Sequence, residues 1–293
     1  MPDASPHAEP SPPPLVLSRA QVRALDRAAV EELGIPSIVL MENAAASIER
    51  HALQLLNTTD SPKPPPPQHH IVIFCGPGNN GGDGYALARR LHVHASCHRA
   101  PFEVTVVSMA APASADAAIN DAIMRRMGIP LIDHDPQHPE ATDEAINARI
   151  GDVTRLLLVD ALLGTGLTRP LVGTILRGVQ TINALRRRIE HTRVLAVDIP
   201  TGLDCDTGEP TSESEPRAVA ADLTVTLAGV KRGFLNTRAS TYTGQIEVGG
   251  IGLTRSFTAR FAEGSPPASG APSGNPDMPK RRPTSPNAAP RAG

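Results

Sequence analysis

The chain of 293 residues is long enough for one or two domains. It is 40% hydrophobic and 20% charged, which allows a globular core, and because aromatic residues make up only 2% that core must be aliphatic. The net charge of −2 gives no sign of bulk attraction to nucleic acid or membranes, and no segment has the roughly 18 apolar residues of a membrane span.

Helical patterns dominate the N-terminal part of the chain. Residues 1–14 are rich in proline and are predicted to form a disordered arm. Ser18 is a predicted N-cap for a helix over 19–33, and a second helix is predicted over 38–56. The proline run at 61–67 predicts an extended linker, so the two helices form an N-terminal extension to the rest of the domain.

The remainder alternates between short apolar runs and helical segments. Runs such as 156–159 are apolar on both faces, which is typical of strands covered by helices on both sides. The alternation predicts a three-layer α/β/α, Rossmann-like fold with a mainly parallel, doubly wound sheet. The predicted strands are 71–75, 103–107, 130–132, 155–160, 193–198, 222–227 and 245–248, and the predicted helices are 84–94, 114–127, 141–150 and 172–189. The pattern stops near residue 257, so we expect one domain over 15–256 and a disordered tail over 257–293.

Polar residues follow four of the predicted strands at their carboxyl ends. Ligands bind outside these ends in open α/β sheets, so the four loops are expected to share one rim. That rim would carry Asn79, Asn80, Asp83, Asp160, Asp198, Thr201 and Lys231. Asp160 and Asp198 have a structural alternative as caps of turns, and Lys231 as a surface lysine. However, Lys231 is the only lysine between Lys63 and Lys280, which suggests a role that arginine cannot fill, such as donating a proton.

The glycine-rich segment at 76–84 satisfies the G-x-G-x-x-G dinucleotide fingerprint. An ordinary dinucleotide site also needs an acidic residue at the end of the second strand, where this chain offers only Ser108. The fingerprint is therefore weak evidence for an NAD-dependent dehydrogenase. An oxygen-rich loop suits a hard cation better, and Asn80, Asp160 and Thr201 could supply oxygen ligands from three strand ends.

Four motifs resemble, in order, those of the NAD(P)H-hydrate epimerase family (the YjeF N-terminal domain). They lie at 76–84, 159–167, 197–202 and 221–231, and the Leu-Met-Glu-Asn-Ala segment at 40–44 resembles that family's helix motif. The resemblance implies an isomerase that interconverts the R and S forms of hydrated NADH and NADPH at C6 of the nicotinamide ring. It also implies one K⁺ per subunit and a homodimer. From the net charge and the lack of a membrane-spanning run, we expect no nucleic-acid or membrane partner. A cytoplasmic location is expected, and a mitochondrial one is left open.

The resemblance also implies roles for individual residues. The substrate would contact Asn79, Asn80, Gly81, Gly82, Asp83, Gly164, Thr165, Gly166, Leu167, Thr168, Arg169, Pro170 and Asp198. K⁺ would be held by Asn80, Asp160 and Thr201. Residues 168–170 depart from the more polar segment of the family, which puts the phosphate-side contacts of that loop in question.

Inversion at C6 can proceed through loss of the hydroxyl to an iminium ion or through ring opening to an aldehyde and reclosure. Either route requires an acid/base group near the carbon and stabilisation of transient charge. We therefore expect Asp198 and Lys231 to form the proton-transfer pair. Asp160 is expected to contact both the cation and the reacting end of the substrate. An alternative is a scaffold or binding module built on the same domain, which would not need the polar rim. The retention of all the rim carboxylates and of Lys231 favours catalysis.

Overall fold

The computed structural model describes residues 13–57, 69–151, 153, 155–213, 215 and 218–262. The predicted linker at 61–67 and most of the predicted arm and tail lie outside the described residues. No described helix is both long enough and apolar enough to cross a membrane.

Seven parallel strands form one sheet in the described part of the chain. The strands are β2 (His69–Cys75), β3 (Phe102–Ser108), β4 (Leu131–Asp133), β5 (Arg155–Ala161), β6 (Thr192–Val197), β7 (Leu223–Leu227) and β9 (Gln245–Gly249). Their spatial order is β4-β3-β2-β5-β6-β7-β9, so the order reverses beside β2, as expected of a doubly wound sheet. A separate pair joins β1 (Val16–Leu17) to β8 (Val230–Lys231).

Helices cover both faces of the sheet and confirm the three-layer prediction. They are α1 (Arg19–Glu31), α2 (Ser37–Asn57), α3 (Asn79–His98), α4 (Ala115–Arg126), α5 (Pro139–Ile150), α6 (Gly173–Arg188), α7 (Ser240–Thr243) and α8 (Arg255–Ala259). One aliphatic core lies between the sheet and α2, α3 and α4, and the other lies beneath α5 and α6. The N-terminal α1 packs with α8 in a smaller cluster.

The start of α3 differs from the prediction of a helix beginning at 84. The helix begins at Asn79, immediately after Gly78, so most of the predicted glycine loop is helical. Close packing explains the glycines: a Cβ at Gly81 would lie 1.8 Å from the Gly76 carbonyl oxygen, and one at Gly84 would lie 2.7 Å from Cys75 Sγ. The glycines therefore allow α3 to approach the strands of the sheet.

The ends of the domain also differ from the prediction. Strand β1 was not predicted, because two residues are too few to show a periodic pattern. At the other end, Phe257 and Ala262 are buried in the cluster that contains Leu17 and Leu25, so the folded domain continues past the predicted boundary at 256. The short helix α8 carries too few apolar residues for its period to be recognised.

Candidate functional site

A cavity of about 550 Å³ opens at the carboxyl ends of the strands. Residues that directly follow β2, β5, β6 and β7 line it, which confirms that these four loops share one rim, and α1 and α2 close its other side. Its deep polar residues are Asn80, Asp83 and Asp198, each less than 9% exposed. A volume of this size is typical of small-molecule and cofactor sites.

Asp198 is held in one orientation at the end of β6. Its backbone has φ of +67°, a conformation that aspartate tolerates better than most residues. Oδ1 accepts a hydrogen bond from the Leu227 amide at 3.1 Å and lies 2.6 Å from Lys231 Nζ. Oδ2 faces Gly164, where an added Cβ would lie 3.3 Å from it. One carboxylate oxygen is thus fixed, and the other is directed toward the cavity loop.

Lys231 lies behind Asp198 and is completely buried. Its ammonium group donates hydrogen bonds to the carbonyls of Leu227 at 2.8 Å and Gly229 at 3.3 Å, in addition to its ion pair with Asp198. The pairing of β8 with β1 fixes its backbone, since Lys231 lies in register with Leu17. Lys231 does not line the cavity.

Asp160 and Thr201 join the loops that follow β5 and β6. Asp160 Oδ1 accepts from Thr201 Oγ1 at 2.7 Å and from the Leu162 amide at 3.2 Å, while Oδ2 accepts from the Thr201 amide at 2.7 Å. Complete burial raises the pKa of Asp160 to about 6, although these hydrogen bonds oppose the shift. Thr201 Oγ1 also accepts from the Leu163 amide at 3.0 Å.

Asn80 reaches the same turn from the opposite side. Its Oδ1 would lie 3.1 Å from a Cβ at Gly164, and its Nδ2 is buried without a hydrogen-bond partner among the described residues. Asn80, Asp160 and Thr201 offer an amide oxygen, a carboxylate and a hydroxyl, all of them hard ligands. Among the described residues, no group of three His, Cys, Asp or Glu side chains could hold a metal ion. By ligand type alone, the three oxygen donors fit a hard cation such as K⁺.

Two further carboxyl groups line the cavity. Asp83, one turn into α3, is 7% exposed, and its pKa is raised well above the usual range by burial and by the charges of Asp198 and Asp26. The side chain of Asp26, on α1, is exposed to solvent and lines the cavity wall. The protein atoms packed around it and the charge of Asp198 raise its pKa to about 6, while Lys231 opposes the shift. Asp83 was expected at the rim, whereas Asp26 was not.

The sequence pattern does not predict that α1 lines the cavity. Arg23, Asp26 and Arg27 all line it. The spacing of three and four residues places them on one side of the helix, but an amphipathic pattern assigns such a side to solvent. Which element the polar side faces depends on how α1 crosses the strand ends, and this is a tertiary feature.

Arg19, at the start of α1, donates hydrogen bonds to the loop after β5. Its Nε donates to the Thr165 carbonyl at 2.7 Å, and its Nη2 donates to the Leu167 carbonyl at 2.9 Å and to Asp204 Oδ2 at 2.6 Å. These contacts connect the N-terminal extension, the loop after β5 and the loop after β6. A lone arginine at a helix start gave no signal of this role in the sequence.

The structure separates the predicted site residues into three groups. The cavity is lined by Asn79, Asn80, Asp83, Gly164, Thr165, Gly166, Leu167 and Asp198. Buried behind it are Asp160, Thr201 and Lys231, and Gly81 and Gly82 are buried within α3. The exposed residues Thr168, Arg169 and Pro170 do not line the cavity, so their expected contacts with the phosphates stay a prediction.

Residues 37–233 match the family model described as YjeF-related protein N-terminus. The chain belongs to the YjeF-related N-terminal family. The matched range begins at α2, so the YjeF-related match leaves out α1 even though α1 forms one wall of the cavity.

Relatives of known name agree with the YjeF-related assignment. The chain is 35% identical over 252 residues to the NAD(P)H-hydrate epimerase of Rhodopirellula baltica, covering 85% of this chain and 88% of that protein. It is 34% identical to the protein of the same name from Pirellula staleyi, covering 83% and 94%. It is also 34% identical to the bifunctional NAD(P)H-hydrate repair enzyme Nnr of Thermofilum pendens, covering 81% of this chain but only 40% of that enzyme.

A solved structure shares the fold. The crystal structure of the yeast protein ynu0, YNL200c, superposes with a TM-score of 0.66 at 21% identity, covering 84% of this chain and 93% of that one. This likeness supports the architecture of the sheet and its flanking helices.

Proposed function

We propose that this chain epimerises the R and S forms of hydrated NADH and NADPH at C6 of the nicotinamide ring. The observation that carries the proposal is Asp198, whose Oδ1 is fixed by Lys231 and whose Oδ2 faces the loop of a cavity large enough for a nucleotide end. The names of the two epimerases at 34–35% identity, which the chain covers almost completely, support the same reaction. A non-catalytic scaffold would not require this constellation.

The charge of the cavity suits the chemistry. The lone pair of the ring nitrogen can expel the C6 hydroxyl once the leaving oxygen is protonated, and the resulting iminium cation is attacked by water on its other face. Asp26, Asp83 and Asp198 line the cavity, and Lys231, the only lysine among the described residues, is paired with Asp198. Carboxyl groups fixed around a developing positive charge stabilise it without reorganisation.

We assign Asp198 as the group that accepts a proton from the attacking water, because its Oδ2 has no partner in the part of the chain that the structure describes. Lys231 acts through Asp198: its ammonium group holds the carboxylate in place and does not reach the cavity. Asp160 acts further back, by fixing Thr201 and the turn at Leu163 and Gly164.

The phosphates of the dinucleotide would bind at the mouth. Arg23 and Arg27 line it and carry no ion pair among the described contacts, and Asn79 places the N-terminus of α3 at the same end. Guanidinium groups and free amides at a helix N-terminus are common partners of phosphate. These contacts would add to those predicted for residues 168–170.

We further propose that Asn80, Asp160 and Thr201 hold one K⁺. The amide oxygen of Asn80, the carboxylate of Asp160 and the hydroxyl of Thr201, two of which already meet at the loop after β5, support this assignment. When bound, K⁺ would supply positive charge that neutralises Asp160 and stiffens the loops after β5 and β6. The homodimer and the cytoplasmic or mitochondrial location stay predictions.

The proposal is tested with a mixture of hydrated NADH epimers and a dehydratase specific for the S form. We expect complete consumption of the mixture when the chain is present and persistence of the R form when it is omitted. Replacing K⁺ by a large organic cation should slow the consumption. Persistence of the R form with the folded wild-type chain, in K⁺, would contradict the epimerase assignment and favour the scaffold alternative.

A further inference from the structure

Asp83 is a buried carboxyl group for which the described residues supply no hydrogen-bond or ion-pair partner. It is 7% exposed and lines the cavity. Its carboxyl oxygens are not among the fully buried unpartnered atoms, so they open into the cavity and are accessible to a bound ligand. Its place on a rigid helix, one turn after Asn79, fixes the direction in which it faces.

The groups around Asp83 offer it no positive partner. Asp26 faces it from α1 and Asp198 from the end of β6, and both disfavour its ionised form. Lys231, the buried ammonium nearby, is already occupied by Asp198 and two carbonyls. The buried Cys75 thiol lies behind it, and Arg23, Arg27 and Asp116 line the cavity with it, the two arginines being exposed at the mouth. These surroundings favour a neutral carboxyl group, which can donate a proton.

We propose that Asp83 is the acid that protonates the C6 hydroxyl of the substrate, an inference that rests on the proposed epimerase function. The Asp83 carboxyl proton moves to the hydroxyl oxygen as the C6–O bond breaks and its electron pair stays on oxygen. The lone pair of the ring nitrogen forms the C6=N double bond, which gives water, an iminium cation and the Asp83 carboxylate. Water then adds to the other face, and its proton passes to Asp198.

Solvent in the cavity restores the starting protonation states of the two carboxyl groups. After one turnover Asp83 is ionised and Asp198 is protonated, and a water molecule returns the proton from Asp198 to Asp83. The reverse epimerisation uses the same two groups in exchanged roles. Asp83 and Asp198 are suited to these roles because one lacks a cationic partner and the other has Lys231.

The first test compares kcat and KM of the wild type with those of Asp83→Asn, which keeps the shape and polarity of the side chain but has no acidic proton. We expect kcat to fall by about 100-fold or more, with KM changed by less than about threefold. Asp133→Asn removes an exposed carboxylate of β4 and is the matched control, expected to behave as the wild type. A fall in kcat of less than about tenfold for Asp83→Asn would overturn the proposal.

The second test needs no activity and separates a chemical role from a structural one. A carboxyl group whose pKa is raised by folding contributes stability below its usual pKa and loses it as pH rises toward the raised value. The Tm of Asp83→Asn relative to the wild type should therefore increase between pH 4 and pH 8, and that of Asp133→Asn should not. A difference that stays constant with pH would overturn the proposal. Inactive wild-type protein would instead refute the epimerase function itself.

Discussion

Replacing Lys231 with methionine tests the electrostatic support beneath Asp198. Methionine preserves the length of the side chain but removes the ion pair and both hydrogen bonds to backbone carbonyls. Lys231 is 0% exposed, so water cannot replace the lost ammonium group at Asp198 Oδ1 or at the two carbonyls. Breaking a buried ion pair by removing one partner costs about 3–5 kcal/mol, because the other charge is left uncompensated. In a domain of this size, that loss lowers Tm by roughly 10 °C.

Urea unfolding of four proteins provides the measurement: the wild type, Lys231→Met, Asp198→Asn and the double variant. Asparagine accepts the positive φ of position 198, so Asp198→Asn should introduce no backbone strain. We expect the double variant to be more stable than Lys231→Met alone, since no charge is then left unpaired. Arg125→Met, which breaks partly exposed ion pairs with Asp121 and Asp133, should cost less than about 1 kcal/mol. The electrostatic reasoning would be refuted if Lys231→Met lowered the free energy of unfolding by less than about 1 kcal/mol. It would also be refuted if the loss in the double variant equalled the sum of the two single losses.

Three further predictions concern α1 and the start of α3. Arg19→Met should raise KM several-fold and accelerate amide hydrogen exchange in the loop after β5. That loop would lose two hydrogen bonds from Arg19, and its link through Arg19 to the loop after β6 would be broken. Unchanged exchange would argue against this role. Arg23→Met combined with Arg27→Met should weaken binding of the dinucleotide by about tenfold in titration calorimetry and reduce its salt dependence, and an unaltered salt dependence would count against phosphate binding there. Gly81→Ala should lower the free energy of unfolding in urea by about 3 kcal/mol, because its Cβ would clash with a backbone carbonyl. Gly78→Ala is the control: its Cβ would contact nothing within 4 Å, so the free energy of unfolding should fall by less than about 1 kcal/mol.

The strands and helices of the sheet could be predicted because their patterns are local. Each buried parallel strand is a run of apolar β-branched and aliphatic residues, and each covering helix repeats every three to four residues. The start of α3 could not be predicted in the same way. Its glycines have low helix propensity, and only their contacts with Gly76, Met41 and Cys75 explain why they are helical.

The candidate site was predicted in part for a similar reason. The rule that ligands bind at carboxyl ends of parallel strands identified Asn80, Asp83 and Asp198, which do lie together in the cavity. It could not distinguish residues that line the cavity from those that support it, such as Lys231, because both kinds follow a strand. It also could not include Asp26, because α1 belongs to no strand–helix unit of the sheet.

The glycine segment shows why a fingerprint alone is insufficient for assigning chemistry. In a dinucleotide loop the glycines make room for a pyrophosphate, whereas here Gly76, Gly81 and Gly84 make room for backbone and core side chains. The same close approach brings Asp83 into the cavity beside Asp198 and Asp26. A wall of carboxyl groups would repel a phosphate and stabilise a cation. In the proposed reaction, Asp83 would therefore face the developing positive charge, whereas Asn79 at the start of α3 would join the arginines of α1 at the phosphates.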